Sequence, residues 1–121
     1  MENNQRYHTL TLRKTDVDGA LHRCCDNEKL YETCLETFLY DETVEELNDA
    51  VNAKKWDDAF TAAHALKGLA GNMGFIPLMH ATSQLVVVIR GGKLSEVGQA
   101  MEGVNSSYRD IVDGIEQFLA Y

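Results

Sequence analysis

The sequence predicts an all-α fold, namely an antiparallel up-down four-helix bundle with an additional N-terminal helix. Three observations lead to this class. Apolar residues recur at spacings of three and four in several segments, which is the period of one helix face. No segment alternates apolar and polar residues in the manner of a strand. The single proline, Pro77, lies where a helix would begin, and the first helical turn tolerates proline.

The first predicted helix begins after Asp26 or Asn27, because either side chain can cap a helix N-terminus. Its apolar stripe consists of Leu30, Tyr31, Cys34, Leu35, Phe38 and Leu39. A second, shorter helix is expected from about Glu42, and its inward residues would be Val44, Leu47 and Val51. Residues 1 to 16 are polar and predict a loose N-terminal tail, so the bundle domain would span residues 17 to 121.

The third predicted helix runs from near Trp56 to about Met73, and Gly74 ends it. The fourth runs from about Phe75 to Arg90, where two successive glycines stop it. We expect its inward stripe to contain Leu78, Ala81, Leu85, Val88 and Ile89, with Val86 and Val87 facing outward.

The last helix is expected from Ser95, which can act as its N-cap. Its apolar residues step by four and three alternately, as in a bundle seam: Val97, Met101, Val104, Tyr108, Ile111, Ile115 and Phe118. Because the connections between the long helices are short, consecutive helices should be antiparallel neighbours.

Charge and length exclude several classes of partner. The chain has 121 residues, about one domain, and 19 acidic against 11 basic residues give a net charge of -8. Such a field repels phosphate backbones and anionic lipid, so we expect neither nucleic acid nor a membrane as a partner. No apolar run approaches the roughly 20 residues that span a bilayer, and MENNQRYHTL lacks the apolar stretch of a signal peptide. We therefore predict a cytoplasmic location, and we also expect a monomer.

The cysteines do not indicate a metal site or a cofactor. Cys24, Cys25 and Cys34 are odd in number and form no disulfide framework. A zinc site at His22, Cys24 and Cys25 would lack the usual CxxC or HxxxH spacing. A carboxylate-bridged di-metal bundle would need Glu-x-x-His pairs, and the sequence has none.

The stretch AHALKGLAGNMG, residues 63 to 74, has two glycines in a predicted helix, each costing about 1 kcal/mol relative to alanine. His64, Lys67, Gly68 and Gly71 share one side of this helix at spacings of three, four and seven. The opposite, core side contains Ala59, Ala62, Ala63, Leu66, Leu69, Ala70 and Met73. The glycines would let a partner approach a nucleophilic imidazole, and Lys67 would add positive charge beside it. A solvated histidine next to a solvated lysine explains the same residues, and both interpretations stay open at this point.

The run AHALKGLAGNMGF resembles the AHxLKGxAxxxG signature of the histidine phosphotransfer (HPt) domain family. Upstream, KKWDDAFTAAH and DGALHRCCDNEKLYETCLETF are similar to the segments that precede this signature in the family. The sequence IRGG, residues 89 to 92, resembles the end of the family's next helix. The resemblance covers roughly Val17 to Tyr121.

The resemblance implies a bundle that carries a phosphoryl group between aspartates of response-regulator receiver domains, with a hybrid sensor kinase as a further candidate partner. It implies neither a cofactor nor ATP-dependent activity of its own. His64 would be phosphorylated and Lys67 would stabilise the phosphoryl oxygens. Gly68 would give the receiver room, while Gly71 and Gly74 would keep the end of the helix compact.

One position departs from the family. Some members have a glutamine near the active imidazole on the next helix, where this chain has Val86, with Gln84 two residues earlier. Gln84, Val86 and Val87 form a candidate docking surface for the receiver. The departure also leaves open an alternative, an HPt-like scaffold or inhibitor that binds a receiver or kinase without being phosphorylated.

Overall fold

The computed structural model describes residues 2 to 121, with side chains from Gln5 onward. Its helices are α1 Glu2–Thr11, α2 Val17–Arg23, α3 Glu28–Phe38, α4 Thr43–Asn52, α5 Trp56–Met73, α6 Ile76–Arg90 and α7 Val97–Leu119, with a short 3-10 turn at Leu94–Glu96. Within residues 2 to 121 no strand forms, and an isolated bridge joins Thr15 to Phe75. The predicted all-α class is confirmed.

The bundle is built by helices that follow one another in the chain. Helix α4 packs against α5, α5 against α6, and α6 against α7, while α1 and α3 also contact α7. The largest fully buried side chains form one core: Tyr31, Phe75, Phe118, Leu10, Leu35, Leu47, Leu66, Leu78, Leu85, Ile115, Val104 and Thr82. This packing gives a helical bundle, and its up-down order stays a prediction.

The bounds of α3 to α7 lie close to those expected, although Ser95 lies in the 3-10 turn and is not the N-cap of α7, which is Glu96. The Asn27 side chain caps α3 by accepting a hydrogen bond from the Leu30 amide at 3.0 Å, as its residue type predicts. Gly74 ends α5 in the left-handed conformation, with φ of 79°. Pro77 lies in the first turn of α6, where no intrahelical hydrogen bond is lost.

The loose tail expected at the N-terminus does not hold for the described residues, because α1 is a helix packed on α7. Leu10 is fully buried, and the Thr9 hydroxyl donates to the Gly114 carbonyl at 3.0 Å. The Arg6 guanidinium lies 4.0 Å from the centre of the Phe118 ring, and its Nε donates to the Phe118 carbonyl at 3.1 Å. Leu10 and Tyr7 pack in or against the core, but the other contacts of α1 are polar or cation–π, so α1 has no continuous apolar stripe that would predict it from the sequence. The division of the chain at residue 16 stays a prediction, and Met1 lies outside the described residues.

Helix α6 differs from its predicted orientation at Val86. We expected Val86 to face outward, but it is buried, with 5 % of its surface exposed. Thr82 is also buried, and its hydroxyl donates to the Leu78 carbonyl at 2.7 Å, which satisfies the group within the helix. Val86 and Thr82 are buried for the same reason. Helix α6 packs against α5 on one side and against α7 on another, so more than one stripe of its surface is covered.

Candidate functional site

Helix α5 presents His64 and Lys67 to solvent. Both side chains are exposed, whereas Ala63, Leu66 and Ala70 are fully buried on the other side of the helix. The alanines let α5 lie close to its neighbours, and the helical period then directs the two basic residues outward. The predicted segregation of basic and apolar residues on α5 is therefore present in the fold.

The two glycines that follow Lys67 differ in their surroundings. A Cβ atom at Gly68 would have no atom within 4 Å, so the surface one turn after His64 is bare. A Cβ at Gly71 would lie 3.3 Å from Sδ of Met79 on α6, which is a tight contact. Gly68 thus leaves open space one turn after His64, whereas a side chain at Gly71 would press on Met79; partner access at Gly68 and Gly71 stays a prediction.

The His64 ring lies against Phe60, one turn earlier on the same helix. The two ring centres are 6.2 Å apart and the ring planes differ by 2°, which describes parallel, offset rings. The Arg90 guanidinium, from the end of α6, lies 5.3 Å from the centre of the Phe60 ring. Among side chains of residues 5 to 121, none forms a hydrogen bond with the imidazole. Its described side-chain contact is therefore with a ring face.

Neither Phe60 nor Arg90 was predicted as part of the site. Phe60 precedes His64 by four residues, and that spacing alone could have indicated a contact on one helix face. Arg90 could be found only by pairing the end of α6 with the start of α5. Its position is what antiparallel packing of these helices would produce.

Positive charge lies near the imidazole although the molecule is acidic overall. Lys67 is exposed, and within the described part of the chain no carboxylate forms an ion pair with it. Arg90 is also exposed at the neighbouring helix end. The ammonium group of Lys67 is therefore available to an anion carried by His64.

Of the three residues of the candidate docking surface, two are exposed on one groove and the third is buried. Gln84 and Val87 are exposed, Val87 by 65 %, whereas Val86 is buried and has no polar group for the imidazole. Gln84 and Val87 line a groove of about 490 Å³. The other residues of this groove are Ser83, Val88, Lys93, Glu96, Gln99 and Ala100.

The C-terminal end of α5 is held by several hydrogen bonds. The Arg23 guanidinium donates to the carbonyls of Asn72 at 2.9 Å and Gly71 at 3.0 Å. The buried Tyr31 hydroxyl donates to the Met73 carbonyl at 3.2 Å, and burial raises the pKa of this phenol. These donors satisfy carbonyls that a helix terminus leaves unpaired, so the helix under His64 has a firm end.

The remaining cysteines and histidines form no metal cluster in the part of the chain that the structure describes. Cys24 and Cys34 are half-buried free thiols, and burial, followed by the neighbouring Cys34, raises the pKa of Cys24. A raised pKa disfavours the thiolate that a metal would bind. His22 and His80 are exposed.

No helix among the described residues combines the length and the apolar character that crossing a bilayer requires.

Comparison with known protein families identifies the family of this chain. The family model described as Hpt domain matches residues 30 to 120, which include α4 to α7 and the whole AHALKGLAGNMG stretch. No curated protein and no solved structure matches the chain. Since the matched residues make up most of its length, the chain belongs to the Hpt domain family.

Proposed function

We propose that this protein carries a phosphoryl group on His64 between the aspartates of response-regulator receiver domains. Hpt domains in general are phosphocarriers of phosphorelays rather than enzymes. The observation that supports this role for His64 is its exposure on α5, beside an unpaired Lys67 and the bare surface at Gly68. A hybrid sensor kinase would supply the phosphoryl group at the start, and a cytoplasmic, monomeric carrier stays our prediction.

The transfer needs little from the carrier except position and charge. A neutral ring nitrogen of His64 attacks the phosphorus of an aspartyl phosphate on the receiver. A nitrogen–phosphorus bond forms while the acyl oxygen–phosphorus bond breaks, and the aspartate leaves as a carboxylate. The proton on the other ring nitrogen stays in place, and a second receiver takes the group by the reverse step. The divalent ion and its acidic ligands would belong to the receiver.

The labelling experiment uses a receiver charged with acetyl phosphate. We expect wild-type protein to gain an acid-labile phosphate and His64→Gln to gain none. His80→Gln is the matched control, because His80 is also an exposed histidine, on α6. Equal labelling of His64→Gln and wild type would refute the proposal.

Lys67 would stabilise the phosphoryl oxygens, because a charge-assisted contact to an anion is stronger than a neutral one. Lys67→Ala should slow transfer about tenfold, since such contacts are worth about 1.5 kcal/mol or more. Because Lys67 is exposed, the unfolding temperature of the Lys67→Ala variant should match that of wild type. A large fall in the unfolding temperature with normal transfer would place Lys67 in the structure rather than in the reaction.

Receiver docking is proposed to use the exposed Gln84 and Val87, with the buried Val86 supporting them from below. Apolar surface near the carrier is what a transient protein contact would cover. Val87→Asp should therefore weaken receiver binding. Leu12→Asp is the control, because Leu12 on the loop after α1 is also 65 % exposed. Equal loss of affinity in both variants would argue against this surface.

The alternative is a non-phosphorylated scaffold or inhibitor that binds a receiver or kinase. Val86 favours it, because an apolar, buried residue stands where some family members have a glutamine. This alternative expects no acid-labile phosphate on wild type and unchanged receiver affinity in His64→Ala. A wild-type phosphohistidine excludes it.

A further inference from the structure

The orientation of the His64 ring requires an explanation, because transfer works only when a ring nitrogen, the phosphorus and the leaving oxygen are nearly in line. An exposed imidazole exchanges between staggered rotamers unless a contact with another group favours one of them. Within residues 5 to 121 no side chain forms a hydrogen bond with this ring, and Val86 cannot form one. Another kind of contact must restrict the ring if it is to be restricted at all.

Phe60 supplies a contact of the right geometry. Its ring is parallel to the imidazole within 2°, and the ring centres are 6.2 Å apart. Stacking uses the face of the imidazole, whereas both ring nitrogens lie in its plane at the edges. The contact can therefore limit rotation of the ring without occupying either nitrogen. A hydrogen bond from a glutamine would instead occupy one of them.

Phe60 is itself held in place. It is half-buried and packs against the hydrophobic core, so its own rotation is limited from below. The Arg90 guanidinium lies 5.3 Å from its ring centre, within the range of a cation–π contact. The phenyl ring is thus contacted by the core and by the end of α6, and it can act as a fixed surface for the imidazole.

We propose that Phe60 is a positioning residue for His64, and that its parallel ring sets the plane in which the nucleophilic nitrogen meets the phosphorus. The inference rests on the proposed phosphocarrier role of His64. It assigns the orienting function to an aromatic face on the same helix, in a chain where the next helix offers Val86.

The test compares Phe60→Leu with Phe60→Tyr. Leucine fills much of the same volume without an aromatic face, and tyrosine keeps the face. We expect the rate of transfer at saturating receiver to fall about three- to tenfold in Phe60→Leu, in keeping with the worth of an aromatic pair. Phe60→Tyr should stay within about twofold of wild type. The receiver concentration at half-maximal rate should change in neither variant.

Three results would overturn the proposal. Phe60→Leu could transfer as fast as wild type, or both variants could slow equally, which would indicate packing alone. The half-maximal receiver concentration could rise while the saturated rate stays constant, which would place Phe60 in the docking contact. Thermal unfolding of each variant identifies any loss that comes from misfolding.

A spectroscopic arm separates this inference from the proposed function. The His64 ring protons of the free protein should show a ring-current shift that Phe60→Leu removes and Phe60→Tyr retains. This shift does not depend on phosphorylation. If wild type takes no phosphate, the proposed function fails while the shift still reports on the stack. If wild type is labelled but the shift is the same in Phe60→Leu, the positioning role alone fails.

Discussion

Gly68 within helix α5 and Gly74, which ends this helix, differ in what surrounds them. Gly68, beside His64, is exposed, and a Cβ there would meet no atom within 4 Å. Gly74, at the helix end, is buried with φ of 79°, and a Cβ there would collide with the Asp16 carbonyl. The missing side chain at Gly68 leaves open space on the surface, and the missing side chain at Gly74 lets the backbone of Asp16 approach. The same residue type thus has a structural reason at Gly74, whereas at Gly68 we propose a functional one.

The end of α5 also has more hydrogen bonds to the rest of the molecule than the region around His64. At the end of α5, Arg23 and Tyr31 donate to helix carbonyls, and the Asp16 amide donates to the Gly74 carbonyl at 2.8 Å. Around His64 the described contact is a stacked ring. Because His64 has few contacts within the molecule, its face of α5 is accessible, and the hydrogen bonds at the end of the helix hold that face in position.

The largest expected effect comes from filling the buried glycine. Gly74→Ala places a side chain at positive φ and against the Asp16 backbone, so we expect the free energy of unfolding to fall by about 3 kcal/mol. The unfolding temperature should drop by about 10 °C in a calorimetric scan. A drop of less than about 3 °C would show that the contact between the α5 end and Asp16 is easily rearranged.

Filling the exposed glycine with a large side chain should affect transfer instead. Gly68→Gln should slow transfer from a receiver at least about tenfold, equal to about 1.4 kcal/mol, because the side chain occupies the space beside His64. Its unfolding temperature should not fall, since glutamine is a better helix former than glycine. Gln117→Ala, an exposed position near the end of α7, is a control that should leave transfer unchanged. Normal transfer in Gly68→Gln would remove the functional reading of this glycine.

Removing the Tyr31 hydroxyl tests the firm end of α5 with a smaller effect. Tyr31→Phe leaves the Met73 carbonyl without this donor, so stability should fall by about 1 kcal/mol. Burial raises the pKa of Tyr31 above the ordinary 10.0, so the fold favours the protonated phenol. The stability that the protonated Tyr31 phenol contributes is fully present below pH 10.0, the ordinary pKa, and is lost as the pH rises through the pKa in the folded protein.

The matching measurement is urea unfolding between pH 8 and about pH 11. Wild type should lose stability at alkaline pH more steeply than Tyr31→Phe. The variant keeps some pH dependence because burial and a hydrogen bond to Glu28 raise the pKa of Tyr7 to about 12. Identical alkaline slopes would contradict the buried position of the Tyr31 phenol.

The smallest expected effect is a gain in stability. Gly68→Ala adds one methyl group to an exposed helix position with no neighbour, so unfolding should become harder by up to about 1 kcal/mol. Transfer should decline only slightly, because a methyl group takes little space. Chemical denaturation and the receiver assay measure both. A loss of stability would show that the space at Gly68 is smaller than the structure indicates.

Much of the site could be predicted because it depends on one helix. The outward direction of His64 and Lys67 follows from the helical period and the buried alanines, and the two lie where expected. The prediction that Val86 faces outward was wrong because it assumed that α6 packs on one side, whereas α6 packs against both α5 and α7. Phe60 could have been found from its spacing of four to His64, whereas Arg90 was missed because it contacts Phe60 across thirty positions of the chain.

The sequence by itself determined the helical class, the approximate ends of α3 to α7 and the face of α5 on which His64 lies. These features depend on caps, glycines and spacings of three and four, all of which act within one or two turns. The tertiary structure alone decided that α1 packs on α7, that Val86 is buried and that Arg90 contacts Phe60. Such contacts join distant parts of the chain, and their free energies depend on how the helices pack, which no local pattern records.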